Sequence, residues 1–312
     1  MNNKVKGYLL GAVAAASYGT NPLFALPLYA EGFSPDSVLF FRYLFALPIL
    51  AFMLKWRGHS FRISRADLVP LVILGLIFAL SSLSLFQSYN YMDAGIASTI
   101  LFVYPIMVAV IMAMFFHEKL TTQTMLCLLM AIGGIGLLYQ NEDGATLSFV
   151  GTMIVFLSSL SYAIYIVAIN KTRLHDMVTL KVTFYVVLFG WFLFAGRTLI
   201  SGELQVPQSN DWWLWGNLIA LAVMPTAISL LCTTGAIQYI GSTPTAILGA
   251  LEPVTAVFFG VTVFGEQLTM RSTIGLILII VAVTIVVAGG GITKHLVRFR
   301  KLFPRIIKKV KK

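Results

Sequence analysis

The sequence predicts an all-α integral membrane protein of ten transmembrane helices, arranged as two five-helix halves of opposite orientation. Three observations carry that reading: composition, the length of the apolar runs, and an internal repeat. Hydrophobic residues are 58% of the 312 and charged residues only 11%, where a soluble chain carries about 25% charged. A membrane span needs roughly 20 apolar residues, and runs of that length fill almost the whole sequence. Tyr91, Pro105 and Glu118 recur as Tyr239, Pro253 and Glu266 at an offset of 148, as do Ala79, Ser81 and Leu83 in Ala227, Ser229 and Leu231. Gly7 and Ser17-Tyr18 match Gly151 and Ser161-Tyr162 at an offset of 144. If each copy holds five spans, an odd number, the second copy is inverted, a building plan shared by many secondary transporters.

The spans are read between charged or turn-forming residues. The first runs 7–30 and stops at Glu31; the second, 34–54, opens with Ser34 as N-cap and Pro35 at the first helical position, where its missing N–H costs nothing, and stops at Lys55. The third, 68–92, follows Arg62 and Arg65 and stops at Asp93; the fourth, 95–116, stops at Glu118-Lys119. The fifth, 122–139, stops before Glu142-Asp143; the sixth, 149–169, before Lys171 and Arg173. The remainder are 178–200, 212–240, 243–264, which ends at Glu266, and 272–290, which follows Arg271. The two copies then occupy 7–140 and 148–291, followed by a basic tail at 294–312. Connections are short, so consecutive helices are antiparallel neighbours. Cys127 and Cys232 sit singly in apolar segments, which argues against a disulfide framework.

Orientation follows the lysines and arginines, which keep loops cytoplasmic. Lys4 and Lys6 precede span one, Lys55, Arg57, Arg62 and Arg65 follow span two, Lys119 follows span four, and Lys171 with Arg173 follow span six. The opposite turns, at Glu31, Asp93 and Glu142-Asp143, have none, and only Arg197 and Arg271 lie near that side. Both termini are therefore expected in the cytoplasm and the protein in the inner membrane. In the tail, Leu296, Phe299, Phe303, Ile306 and Val310 recur at helical spacing opposite the basic residues, a pattern suited to lying on anionic lipid of the inner leaflet. A short basic tail without a folded reading element does not suit nucleic acid.

Arg42 and Glu252 stand out, because ionisable groups in the hydrocarbon cost about 2.5–3.5 kcal/mol on insertion scales and mark function by default. At 1.5 Å per residue both fall near the midplane, within roughly 5 Å of the same depth. They can pair with each other, or face a cavity with Glu252 holding an amine or a proton and Arg42 a carboxylate. Pro105 and Pro253, preceded by Tyr104 and Glu252, sit mid-span at matching repeat positions and are expected to bend their helices at the repeat interface. Polar and aromatic residues concentrate on spans one, three, six and eight, giving Tyr18, Asn21, Ser81, Gln87, Ser161, Tyr162 and Ser229 as further cavity candidates, while spans five and ten are apolar and expected to face lipid. Glu118 and Glu266 close spans four and nine, where they can cap the next helix or act as paired gates. His117-Glu118 is not followed by the second histidine of a zinc-protease motif, and no phosphate-binding GxxxxGK[ST] occurs, so no enzyme activity, cofactor, metal or ATP-driven step is expected.

The stretches Leu101-Phe-Val-Tyr-Pro105…Glu118-Lys-Leu120 and Leu251-Glu-Pro253-Val-Thr-Ala256…Gly265-Glu266-Gln-Leu268, with Ser17-Tyr18-Gly19 and Ser161-Tyr162-Ala163 opening each half, resemble the paired EamA repeats of the drug/metabolite transporter superfamily. The resemblance implies a ten-helix alternating-access carrier with a central cavity, moving a small organic metabolite such as an amino acid, most often outward. It leaves open proton coupling through Glu252, a lipid or lipid-linked-sugar flippase of the same fold, and a non-transporting membrane scaffold. One departure is that the first repeat has Tyr104 where the second has Glu252.

The charge distribution makes a direct prediction. In intact cells an impermeant thiol reagent labels Glu142→Cys and spares His59→Cys; the reverse pattern would invert the topology.

Overall fold

Helices make up the structure; those at Asn21–Ala30, Pro35–Trp56 and Arg65–Ser88 continue through Pro27, Pro48 and Pro70, whereas near Pro22, Pro105 and Pro253 the chain starts a new helical segment and at Pro225 it widens its turn. The computed structural model describes residues 2–92, 94–117, 122–138 and 148–264, together with 270–271, 273–275, 277–282 and 285. Among them the elements are α1 (Asn3–Tyr18), α2 (Asn21–Ala30), α3 (Pro35–Trp56), α4 (Arg65–Ser88), α5 (Ala94–Leu101), α6 (Tyr104–Phe116), α7 (Thr122–Leu138), α8 (Phe149–Lys171), α9 (Thr179–Ser201), α10 (Trp212–Leu221), α11 (Ser229–Ile240), α12 (Ser242–Leu248) and α13 (Leu251–Phe264). Among the described residues, taking Asn3–Ala30, Trp212–Ile240 and Ser242–Val263 each as one, seven helices are long and apolar enough to cross a membrane, and Tyr104–Phe116, Met125–Gly134 and Thr273–Ala282 are shorter apolar helices. This is a multi-pass membrane protein. Glu118, Glu266, Asp93, the Glu142-Asp143 turn and the tail 294–312 lie outside the described residues.

The helix ends follow local chemistry. The Ser34 hydroxyl caps α3 by accepting the Ser37 N–H at 3.3 Å, with Pro35 next to it in the first turn. The expectation for Pro105 was a bend in a continuous helix. Instead the helix breaks before it, at Phe102-Val103, and Pro105 lies in the first turn of α6. Span one breaks likewise at Gly19-Thr20 with Pro22 opening α2, and span nine at Gly249-Ala250 just before Pro253. A proline in a first turn lacks only an N–H that has no intrahelical acceptor, so the break removes the clash that an interior position would impose. Pro225 meets the same problem differently: α10 and α11 are joined by a π-helical segment, Ala222–Ile228, whose wider turn admits the ring.

The two repeats exchange partners. Gly7 of α1 packs against Tyr239 and Ile240 at the end of α11, and its repeat counterpart Gly151 of α8 packs against Tyr91 and Met92 just after α4. The Ser229 hydroxyl donates to the Ala14 carbonyl at 2.9 Å, and its counterpart Ser81 donates to the Ser158 carbonyl at 3.0 Å. The same contact is thus made twice, once by α1 with α11 and once by α8 with α4. Between them α3 packs on α9 and α4 on α9. At the second of these seams Gly75 and Gly190 let the backbones approach closely, since a Cβ on Gly75 would stand 2.7 Å from the Phe189 Cβ and 2.9 Å from the Val186 carbonyl oxygen. Gly134 of α7 meets the Gly275 carbonyl, while Leu126, Leu129, Ile274 and Ile277 are exposed, so spans five and ten pack on each other and turn apolar faces outward.

Charge gathers at one end. Lys181 donates to the Arg62 carbonyl at 2.9 Å, Tyr185 to the Phe61 carbonyl, and Lys6 to the Tyr239 hydroxyl at 2.9 Å. At the other end Arg197 holds Asp36 with two bonds, 2.7 and 3.0 Å, so its charge is locally compensated.

Helix-seam packing makes a prediction that propensity alone would reverse. Gly75→Ala lowers the melting temperature, because overpacking costs about 1–3 kcal/mol. Gly196→Ala, where a Cβ meets nothing within 4 Å, leaves it unchanged or raises it, as Ala is favoured over Gly in a helix by about 1 kcal/mol. Equal responses in detergent melting would show that the α4–α9 seam is loose.

Candidate functional site

The breaks of spans four and nine bring repeat-equivalent residues face to face. Tyr104 opens α6 and Glu252 lies in the first turn of α13; the Tyr104 hydroxyl donates to Glu252 Oε1 at 3.2 Å. Gly249, at the α12–α13 break, makes room for it, because any Cβ there would overlap the Tyr104 hydroxyl. Gly19, at the break of span one, brings α1 down onto α13, since a Cβ on it would stand only 2.5 Å from the Glu252 carbonyl oxygen. A second equivalent pair adjoins the first. Tyr18 stacks on Tyr162 with ring centroids 5.9 Å apart, and Tyr162 meets Tyr104 edge-on at 4.7 Å. Tyr165 continues the stack at 6.2 Å and comes within 3.5 Å of the Thr234 hydroxyl. Glu252 is therefore a carboxylate beside a cluster of tyrosine rings, 5% exposed.

Arg42 forms the opposite pole. It is fully buried on α3, and Nε donates to the Thr226 hydroxyl at 2.6 Å while Nη2 donates to the Pro225 carbonyl at 3.2 Å. Both acceptors belong to the π-helical segment, whose wide turn leaves the Pro225 carbonyl available; the Thr226 hydroxyl is itself aimed by donating to the Leu221 carbonyl at 2.7 Å. The guanidinium carbon lies 5.2 Å from the centre of the Phe86 ring. Nη1 is buried with no partner among the described residues, and so are both polar side-chain atoms of Asn21. Arg42 and Glu252 do not bridge: their hydrogen bonds go elsewhere, and the ion pair among the described residues is Arg197–Asp36. Tyr18 lies within electrostatic reach of both.

The remaining sequence candidates fall into two groups. Pro105, Pro253 and Ser161 are buried beside the tyrosine cluster's own helices, and Gln87 is half-buried near the end of α4. Ser81 and Ser229 spend their hydroxyls on the seams between α4 and α8 and between α11 and α1, a helix-joining role usual for serine in membranes. Thr226, Pro225, Phe86 and Gly249 were not among the sequence candidates. The Pro225-Thr226 pair inside an apolar span was the available signal for the first two; nothing local distinguishes Phe86 or Gly249, which matter only through what packs on them. Among the described residues no group of three His, Cys, Asp or Glu is placed to hold a metal ion.

The family model described as the EamA-like transporter family matches this chain twice, over residues 5–140 and 149–288. The chain belongs to the EamA-like transporter family. Its relatives include a protein of Archaeoglobus fulgidus named an uncharacterized transporter, 29% identical and aligned over 80% of this chain and 85% of its own. A second, the uncharacterized transporter YcbK of Bacillus subtilis, is 24% identical over 86% of this chain and 87% of its own. A solved crystal structure shares the fold with a TM-score of 0.74 at 17% identity, covering 90% of this chain and 96% of that one. The EamA chain described here is accordingly a membrane transporter built of two EamA repeats.

The hydrogen bonds predict a pattern of energetic coupling. In double-mutant cycles on melting, Tyr104→Phe couples to Glu252→Gln, and Arg42→Gln to Thr226→Val, each within the 0.5–3 kcal/mol range of contacting pairs. Arg42→Gln and Glu252→Gln together come closer to additivity than either contacting pair. A larger coupling between the two charges would show that they pair directly.

Proposed function

We propose that the chain is a ten-span secondary carrier that moves a small organic solute bearing an amine, such as an amino acid, across the inner membrane, outward, by alternating access of two inverted halves. The observation that carries this reading is the contact of Tyr104 with Glu252. Repeat-equivalent residues meet there at the ends of broken helices, near mid-depth, beside an aromatic cluster that suits a cationic group. The unpartnered Nη1 of Arg42 and the amide of Asn21 offer hydrogen bonds to the solute's carboxylate or other polar end. Inversion is supported by direction: the start of α1 lies against the end of α11, so span eight runs opposite to span one. Antiparallel succession makes spans one and three parallel, so span eight runs opposite to its repeat counterpart, span three.

The end that collects Lys6, Arg57, Arg62 and Lys181 faces the cytoplasm in this reading, with both termini on that side and the 294–312 tail on anionic lipid. Glu118 and Glu266 serve as gates at opposite faces, and Glu252 carries the proton if transport is proton-coupled. A flippase would need a polar path from the bilayer to the site; Arg42 and Glu252 are instead enclosed, which supports a solute carrier.

The test is a thermal-shift screen of amines, amino acids and simple carboxylates on the purified full-length chain, followed by counterflow in proteoliposomes. A bound solute stabilises by RT ln(1 + [L]/Kd), about 2.7 kcal/mol at a hundredfold excess over Kd. An amine-bearing solute raises the melting temperature of the parent, and Glu252→Gln folds but loses both that shift and counterflow. A Glu252→Gln variant that binds and exchanges the same solute as the parent would refute the assignment.

A further inference from the structure

A cavity of about 450 Å³ lies apart from the Tyr104–Glu252 pair, at the positive end of the molecule. Its walls are Leu10, Met53, Leu180, Ile228, Leu231 and Cys232, and its mouth carries Lys6, Arg57 and Tyr239. That volume falls in the roughly 300–1,000 Å³ range of small-molecule sites. The helix packing explains why it exists. In this half of the molecule α1 lies along α11 and α3 along α9, with no comparable packing between α1 and α3, so the seam between those two helices is left unfilled. On either side of the seam the neighbouring positions Val5, Leu9, Phe52 and Trp56 are exposed apolar side chains, so the cavity opens beside lipid-facing surface. Lys6 is held at the mouth by donating to the Tyr239 hydroxyl at 2.9 Å and lying 4.9 Å from its ring centre. The Arg57 guanidinium makes no hydrogen bond or ion pair among the described residues. Both cations therefore sit at the edge of an apolar slot, with no acidic side chain among the lining residues.

We propose that this crevice is a binding site for an anionic phospholipid of the adjacent leaflet, the phosphate between Lys6 and Arg57 and one acyl chain along Leu10, Met53, Leu180 and Leu231. Basic side chains at a membrane surface attract anionic lipid headgroups, which favours such a ligand. The chemistry recognised is a phosphate monoanion carried on an apolar chain. The back wall, Ile228 to Tyr239, is continuous with the π-helical segment that holds Arg42, so an occupied slot braces the helix on which that pole depends.

Cys232 reports on the site directly, since the other cysteine, Cys127, is buried elsewhere and can be replaced by serine. The full-length Cys127→Ser chain is reconstituted in phosphatidylcholine vesicles with and without phosphatidylglycerol, and alkylation of Cys232 by N-ethylmaleimide is timed. Phosphatidylglycerol slows the reaction several-fold, and Lys6→Gln with Arg57→Gln abolishes the protection; either single change weakens it if the double variant does not fold. Equal rates in the two vesicles, or protection that survives loss of both cations, would overturn the proposal. Protection by inorganic phosphate alone in phosphatidylcholine vesicles would overturn the lipid assignment in favour of a soluble phosphate-bearing ligand. The readout involves no transport, so it stands or falls separately from the carrier reading.

Discussion

The hydrogen bond from Tyr104 to Glu252 is the constraint around which the rest of the molecule is organised. It joins the same position of two repeats, which is attainable only if the chain brings the two copies together about a shared axis. Three features serve that contact. Helix breaks at Phe102-Val103 and Gly249-Ala250 turn the two residues toward each other. The absent side chain of Gly249 leaves space for the phenol, and Gly19 lets the break of span one close over the Glu252 backbone. The paired contacts farther out, Gly7 with Tyr239 and Gly151 with Tyr91, hold the two copies in the register the central pair requires.

The energetic logic of the membrane interior explains why polar groups occur in satisfied clusters. A buried guanidinium is costly in hydrocarbon, and Arg42 is offset by two acceptors made available through a local defect, the π-helical turn around Pro225. The defect and the charge support each other: the wide turn frees a carbonyl that lipid would leave unbonded, and the arginine supplies the donor. Among the buried side-chain atoms without a partner in the described residues, Nη1 of Arg42 and the Asn21 amide lie on the two spans that contribute Tyr18 and Arg42 to the site, while those of Tyr89, His175 and Trp191 lie elsewhere. Buried donors without partners are costly to keep, and in the proposed carrier a transported solute would satisfy them.

Asymmetry within a symmetric frame gives the site its chemistry. The frame repeats Tyr18 as Tyr162 and Ser81 as Ser229, but it replaces one tyrosine by a carboxylate and buries an arginine on span two, whereas Arg197 of span seven is exposed and pairs with Asp36. One end of the site thus carries a carboxyl group among aromatic rings, the other a guanidinium. The crevice between α1 and α3 lies outside this frame. It arises because those two helices are held apart by their separate partners, and its positive mouth belongs to the charge gathered at that end of the protein.

The sequence by itself determined the class, the repeat and the outlying charges. Apolar length, repeat offset and the cost of burying Arg42 or Glu252 are all properties of the chain read locally, and among the described residues they carried the first nine spans to within a few residues of the observed helices. The same local reading took Pro105 and Pro253 as bends. Only the folded chain places them in first turns after a break, because whether a proline interrupts a helix or begins one depends on what replaces the lost hydrogen bond. Likewise the sequence left Arg42 and Glu252 as possible partners, and tertiary packing separated them, giving one to Thr226 and Pro225 and the other to Tyr104. Ser81 and Ser229 looked the same on paper as cavity-facing hydroxyls; which face of a helix meets a neighbour and which meets a cavity is set by packing between elements far apart in sequence, and that is not written in either segment alone.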